Sequence, residues 1–598
     1  MEVREIADRL EEIAVLLELK GENPFKVRAY ESGARALGNL DEDLDTLIAE
    51  ARLDKVSGIG KALAEKIAVL RESGELPYYE KLRASVPEGL MAMLEIPGFG
   101  PKKIRKVEQE LGIETIEDLQ AACESGQVAK LAGFGKKSVE NILSGIENRI
   151  AYGKRHLWWD VRPVAEPLLK ELRELAEVRR AEVAGSFRRV RETVGDLDFI
   201  VSSDDPRPVM EWFTSRESVS EVTARGETKS SVRFEGGLQA DLRVVPDDRF
   251  VFALHHFTGS KDHNVKMRQR ALARGLSLSE WGIFTKGDEP EDGGRALDRP
   301  LAREGIGEES DLFKALGLEY IPPERREGRD ELELAEAGEL EAPLALDALK
   351  GTFHNHTRAS DGHNTLEEMA RAAADRGLDY LGIADHSKAS FQASGLNAEG
   401  LLEQVAEIRQ LNTSRSEGQA HLFAGSEVDI LKDGTLDFGK DVLEQLDYCV
   451  LSVHGSMSGQ SEDEMTDRII RAIETETGCL KILGHPTGRL LLRREGYAVN
   501  LRRVIDAAAR SGVLIELNAN PWRMDMDWRH WSYAAEKGVL CVITPDAHAL
   551  EDLDYLQAGI LSARKAGLGG GDIFNTRSLD AVFSVLKTGR YDTGDNLE

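Results

Sequence analysis

Apolar residues through the first 150 positions recur every three to four residues, as in "IADRLEEIAVLLELK" near the start. That spacing predicts amphipathic helices, and short glycine turns separate them. From about residue 160 the period changes. "DLDFIV" (196–201) and "GLQADLRVV" (237–245) read as strands, and "HNVKMRQRALARG" (263–275) reads as a basic helix. Residues 321–348 are rich in Pro and Glu with little apolar periodicity, which predicts a linker. Beyond it, apolar runs such as "YLGIADHS", "VLIELNANP" and "VLCVITPDAH" alternate with amphipathic helices, the pattern of a β/α barrel.

One unit of the helical region occurs three times, as "VSGIGKALAEKI" (56–67), "EIPGFGPKKIRKV" (95–107) and "LAGFGKKSVENIL" (131–143). Each has a Gly-x-Gly turn, formed by Gly58 and Gly60, Gly98 and Gly100, or Gly133 and Gly135. A lysine-bearing helix follows each turn. Glycine lets a phosphate approach closely, and the helix N-terminus aims free N–H groups at it. A plain αα-hairpin accounts for one such turn, but three with adjacent lysines point to nucleic acid. They resemble helix-hairpin-helix motifs, which grip the DNA backbone without reading sequence.

With 598 residues the chain is too long for one core. Its formal net charge is −29, and residues 1–150 alone hold 21 Lys+Arg against 28 Asp+Glu. A general positive field is therefore excluded, and DNA contact has to come from backbone amides and short basic clusters. No apolar run is long enough for a membrane span, and the charged amphipathic start does not look like a signal peptide. Four scattered cysteines without a CxxC pair read as buried thiols of a reducing compartment.

Asp196 and Asp198 lie two apart on a predicted strand and so share a face. Asp241 can add a third carboxylate from a neighbouring strand. Three such groups suit two Mg²⁺ ions and in-line nucleotidyl transfer. The bland reading, solvated carboxylates at a strand edge, loses force from two neighbours. "GSFRR" offers Gly185 and Ser186 at a turn and Arg189 as a charge clamp, and "FTGS" (257–260) is a second turn ahead of Asn264 and Arg268.

"GSFRRVRETVGDLDFIV", "ADLR", "FTGSKDHNVKMRQRA" and the hairpin repeats together resemble a family X DNA polymerase of the polymerase beta type over residues 1–320. The resemblance implies that Asp196, Asp198 and Asp241 are catalytic and bind Mg or Mn. It implies that Ser186 and Arg189 hold the triphosphate, that Asn264 and Arg268 check the nascent pair, and that His256 and Phe257, before Gly259, lie under the sugar. Polymerase beta has Tyr in place of His256, and Val190 stands where the vertebrate motif has glycine. Lys66 falls at the family's Schiff-base lysine of a lyase domain; a phosphate-contacting or solvated lysine is the competing reading.

The C-terminal third concentrates metal-ligand residue types. His354, His356, Asp361 and His363 lie in "FHNHTRASDGH"; His386, Glu427, His454, His485, Asp546 and His548 each follow a short apolar run. On a β/α barrel that arrangement gathers them at the C-terminal ends of the strands. The pattern resembles a PHP (polymerase and histidinol phosphatase) domain. That implies a trinuclear site of Mn or Zn: His354, His356, Glu427 and Asp546 for one ion; Glu427, His454 and His485 for the second; Asp361, His386 and His548 for the third. His363 has no role in that pattern, and Thr352 replaces a common aspartate. The chemistry implied is phosphoester hydrolysis.

The expectation is a multidomain α and α/β chain. Its parts are a lyase-like helical domain (1–80), a helix-hairpin-helix domain (81–155), a nucleotidyltransferase palm (156–250), a thumb (251–320), a linker (321–348) and a distorted β/α barrel of PHP type (349–598). Its partners are gapped or primer-template DNA and dNTPs, with no membrane, and it is read as a cytoplasmic, nucleoid-associated monomer in DNA repair. The competing reading is a DNA-binding platform whose main enzyme is the PHP domain.

Overall fold

The computed structural model describes residues 1, 3–38, 40, 44–94, 96, 99–152, 155–286, 305–415, 418–589 and 591. The chain forms two compact units, Met1–Gly153 and Lys154–Glu598.

The first unit is helical, around a core that includes Leu10, Ile13, Leu17, Ile67, Ile104, Leu119 and Ile146. Each glycine turn works in the same way. Ile59, Phe99 and Phe134, the residues ahead of the second glycine, are buried, and the helices Lys61–Ser73, Pro101–Leu111 and Lys136–Tyr152 start just beyond. The buried side chain anchors the turn, so Gly58, Gly60, Gly100, Gly133 and Gly135 stay on the surface.

In the second unit a five-stranded sheet runs in the order Arg180–Val183, Asp196–Ser202, Gln239–Val245, Lys229–Phe234, Val219–Arg225. Asp196–Ser202 pairs antiparallel with the first of these and parallel with Gln239–Val245. Leu197, Phe199, Val201, Ala240 and Leu242 pack under the helix Trp158–Glu174, and this core extends to Met524 and Ala558 of the C-terminal domain. The helices Phe250–Thr258, Lys261–Ala273 and Glu309–Ala315 and the hairpin Leu276–Ser279/Gly282–Thr285 share a separate core around Phe252, Met267 and Phe313.

Residues 321–337, the first part of the expected linker, pack instead of running free. Ile321, Leu332 and Ala335 join that second core, and Glu331–Ala337 is a helix. The charges that made the segment look solvated are paired inside the protein. Arg326 is fully buried with Nη1 2.5 Å from Glu309, and Glu331 lies 2.9 Å from His263 Nδ1. Burial would raise the Glu309 pKa, but Arg326 and Arg188 outweigh it and hold the carboxyl far below its usual range.

Among its described residues the C-terminal domain has eight parallel strands in chain order, three in one sheet (Gly351–Asn355, Tyr380–Ile383, His421–Ala424) and five in another (Glu427–Asp429, Tyr448–Ser452, Leu480–Leu483, Leu514–Asn518, Cys541–Thr544). Single parallel bridges, His386 to Glu427 and Asn355 to Ala547, join the two sheets at both seams. Phe353, Tyr380, Phe423, Tyr448 and Ile482 fill one face, and the helices cover the other. All four cysteines are buried thiols. No described helix is long and apolar enough to cross a membrane.

Candidate active sites

The first site forms where the strands Asp196–Ser202 and Gln239–Val245 lie side by side. Asp198 is the register partner of Asp241, and Asp196, two positions back, has Gln239 opposite. The even spacing puts all three carboxylates on one face. Burial, then Asp196 and Asp241, raise Asp198 to about 7; burial and Asp241 also raise Asp196. Asp241 goes the other way. Burial alone would raise it, but Lys229, 2.7 Å away, and Ser231 bring it down. Among the described residues these three carboxylates are not one of the tight ligand groups; Lys229 already occupies Asp241.

The loops above this face carry the other expected residues. Gly185 has φ +64°, and a Cβ there would lie 2.4 Å from Oδ2 of Asp198. Glycine is required both by the backbone and by the close approach. Ser186 follows in the same short helix, Gly185–Arg188. Arg189 is not a free clamp: Nε meets Glu327 at 3.2 Å and Nη1 donates to the Thr258 carbonyl. Gly259 opens the second turn with φ +69°, against the Arg189 guanidinium. Asn264 donates to the His256 carbonyl at 2.8 Å, and Arg268 Nη2 lies 3.1 Å from His256 Nδ1. Phe257 lies 4.9 Å from the His256 ring and carries Arg243 over its face at 4.3 Å. Val190 takes φ +51° where the vertebrate motif has glycine.

In the first unit, a Cβ on Gly60, Gly100, Gly133 or Gly135 would meet nothing within 4 Å, so these turns are open to a ligand; Gly58, with φ +93°, lies close to the Ser32 carbonyl. Gly98 lies outside the described residues. Lys66 donates to the Tyr30 hydroxyl and sits 4.4 Å from the centre of the Tyr78 ring. Burial and Lys26 lower its pKa, so it is not a freely solvated lysine.

The second site gathers nine side chains at the C-terminal ends of the parallel strands. They fall into overlapping groups: His356, Asp361, His386 and His548; His354, Glu427 and His485; His354, His356 and Asp546; and His386, Glu427 and His454. Glu427 is central, within 3.2 Å of a nitrogen of His354, His386, His454 and His485. The grouping differs from the sequence-based one: His356 also joins the Asp361 group, His454 and His485 fall in separate groups with His386 and His354 respectively, and Glu427 is not in the group of His354, His356 and Asp546. The buried Nε2 of His354 and both ring nitrogens of His356 make no well-aligned hydrogen bond. Unpaired nitrogens facing carboxylates fit a divalent metal. Burial lowers His386, but Glu427 and Asp361 outweigh it and raise the imidazole to about 11. His356, buried beside His548 and His386, falls to about 4. His354, His485 and Asp546 all have positive φ, strain concentrated at the site itself.

Two carboxylates here escaped the sequence reading. Glu516 lies 2.5 Å from His354 Nδ1 and accepts the His485 backbone N–H at 2.5 Å. It supplies the orienting carboxylate expected near position 352; Thr352 instead donates to the Ile543 carbonyl. Asp429 lies 3.2 Å from His454 Nδ1. Glu516 sits mid-strand within an apolar run, and a carboxylate there was the available signal. His363 donates its backbone N–H to the His548 carbonyl.

Comparison with known proteins agrees with this layout. Family models match in the order helix-hairpin-helix domain (1–76), SAM-like helix-hairpin-helix tandem (90–148), DNA polymerase beta thumb (253–327) and PHP domain (352–520). That sequence of parts defines a polymerase joined to a divalent-metal PHP domain. The chain is 39% identical over 590 residues, 98% of its length and all of the relative's, to the DNA polymerase/3′-5′ exonuclease PolX of Bacillus subtilis (strain 168). DNA polymerase lambda of Rattus norvegicus is 26% identical over 54% of this chain and 56% of its own; that of Arabidopsis thaliana is 26% identical over 46% and 53%. The chain belongs to the bacterial PolX-type family X DNA polymerases that carry a PHP domain.

Proposed function

We propose that the chain extends primers by template-directed nucleotidyl transfer at short DNA gaps, and that its PHP domain removes 3′-terminal nucleotides or 3′ blocking groups by hydrolysis. The observation that carries this reading is the 39% match to PolX over 98% of this chain and all of the relative's. The glycine turns hold the DNA backbone, and Ser186 and Arg189 hold the triphosphate. Asn264 and Arg268 face the nascent pair, and Asp241 draws the proton from the primer hydroxyl. Asp196, Asp198 and Asp241 would bind Mg or Mn, and the nine PHP residues up to three Mn or Zn ions; the ions supply Lewis-acid charge at the reacting phosphate. A shared chain keeps cleaned 3′ ends at high effective concentration beside the polymerase.

The test is a gapped, 5′-labelled DNA with dNTPs and Mg²⁺ or Mn²⁺. Wild type is expected to extend it, Asp198→Ala to lose extension but keep shortening, and His354→Ala to do the reverse. No extension by wild type would sink the polymerase reading in favour of a DNA-binding platform. Shortening that survives His354→Ala while metal content falls would sink the nuclease assignment.

A further inference from the structure

We infer that Lys565, a residue of the PHP domain, is a positioning residue for nucleotide addition: it clamps the Arg189–Val190 turn of the polymerase site. The inference rests on the polymerase reading above. Lys565 lies on the helix Leu556–Ala566 and is only 3% exposed. Its ammonium has three N–H donors and meets three acceptors. Nζ donates to the Arg189 carbonyl at 3.0 Å and to the Glu324 carbonyl at 3.2 Å, and pairs with Glu327 at 2.5 Å.

Two of those partners, Arg189 and Glu327, lead to the nucleotide site. Glu327 meets Arg189 Nε at 3.2 Å and Arg191 at 3.5 Å. Arg189 in turn donates to the Thr258 carbonyl, and its guanidinium lies against Gly259, at the turn that opens the helix of Asn264 and Arg268. One unbroken chain of contacts therefore runs from the PHP domain to the residues that would hold the triphosphate and the nascent pair.

The turn itself explains why a clamp is needed. Val190 has φ +51°, a left-handed conformation that a β-branched residue adopts only under constraint. Such a residue persists when its surroundings over-determine it. The Lys565 bond to the carbonyl just before Val190 is one such constraint. Without it the turn is free to relax, and Arg189, held at its carbonyl by Lys565 and at its guanidinium by Glu327, loses its fixed position for an incoming triphosphate.

A purely structural interface lysine would lower thermal stability and leave nucleotide kinetics alone, so the test separates KM from kcat. Single-nucleotide gap filling is measured on the full chain for wild type, Lys565→Met, Lys565→Arg, Glu327→Gln and Lys565→Met with Val190→Gly. Lys565→Met is expected to raise the dNTP KM about tenfold with kcat within about twofold, the signature of lost ground-state binding. Shortening of 3′ ends is expected to stay at the wild-type rate. Lys565→Arg keeps the charge and is expected to stay near wild type. Val190→Gly removes the strain and is expected to restore much of the KM. A dNTP KM in Lys565→Met equal to wild type, whatever happens to Tm, overturns the inference. If Lys565→Met does not fold, Glu327→Gln carries the same expectation, and an unchanged KM there overturns it too. Absence of extension by wild type would instead count against the polymerase reading.

Discussion

Nδ1 of His354 lies 2.5 Å from Oε1 of Glu516, across 162 residues of chain. Glu516 also receives the Thr544 hydroxyl and the Asn518 amide at 3.2 Å, so its carboxylate is fixed from several sides. A ligand imidazole held in this way presents Nε2 to the cluster in one orientation. Glu516→Gln keeps the shape and removes the charge. The expected result is metal affinity about 10–100-fold weaker at the PHP site. Chelator competition with metal analysis measures it, alongside 3′-end shortening; primer extension is expected to be unchanged.

Gly185 faces Asp198 so closely that a Cβ would overlap Oδ2 at 2.4 Å, and its φ of +64° disfavours any side chain. Gly185→Ala therefore displaces the carboxylate or the turn. Displacements of this size at a reacting centre cost on the order of 100-fold in rate. Primer extension is expected to fall by about that factor, and PHP-dependent shortening to hold, in the same gapped-DNA assay.

Arg326 is fully buried between Glu309 and the Ile321 carbonyl. Arg326→Met takes one of two cations from a buried carboxylate. Breaking such a pair costs about 3–5 kcal/mol. Arg188, 2.6 Å from Glu309, remains and places the loss at the lower end. Denaturant unfolding of the second unit's transition measures it; a change below about 0.5 kcal/mol, typical of surface sites, would show that the segment is a loose linker after all.

Burial lowers the Lys565 pKa to about 8 against the opposing pull of Glu327 and Glu192, with Arg191 adding to the fall. The ammonium is present below that value and lost above it. The dNTP KM is therefore expected to rise as pH passes 8, and to rise less in Lys565→Arg. Stability moves the other way. The ordinary lysine pKa of 10.5 lies above the folded value, so between about 8 and 10.5 the unfolded chain binds more protons and this residue's contribution to stability grows with pH. Gap-filling kinetics and Tm across pH 7–10 check both signs.

Local patterns were enough for much of this protein. Gly-x-Gly before a lysine-bearing helix, two aspartates two apart on a strand, and histidines after short apolar runs are all set by spacing along one element. Element period and chain direction then determine which residues share a face or a strand end. From the sequence alone follow the order of the domains, the parallel C-terminal strands, and the candidate residues at both sites. Tertiary structure decided what depends on partners far apart in the chain. Residues 321–337 have the composition of a linker, yet pack because Arg326 pairs with Glu309 and Glu331 meets the His263 imidazole. Glu516 and Lys565 belong to no motif; one becomes a ligand-orienting carboxylate and the other a clamp only when strands and domains meet. Desolvation and charge pairing are properties of the folded neighbourhood, and no local spacing encodes them.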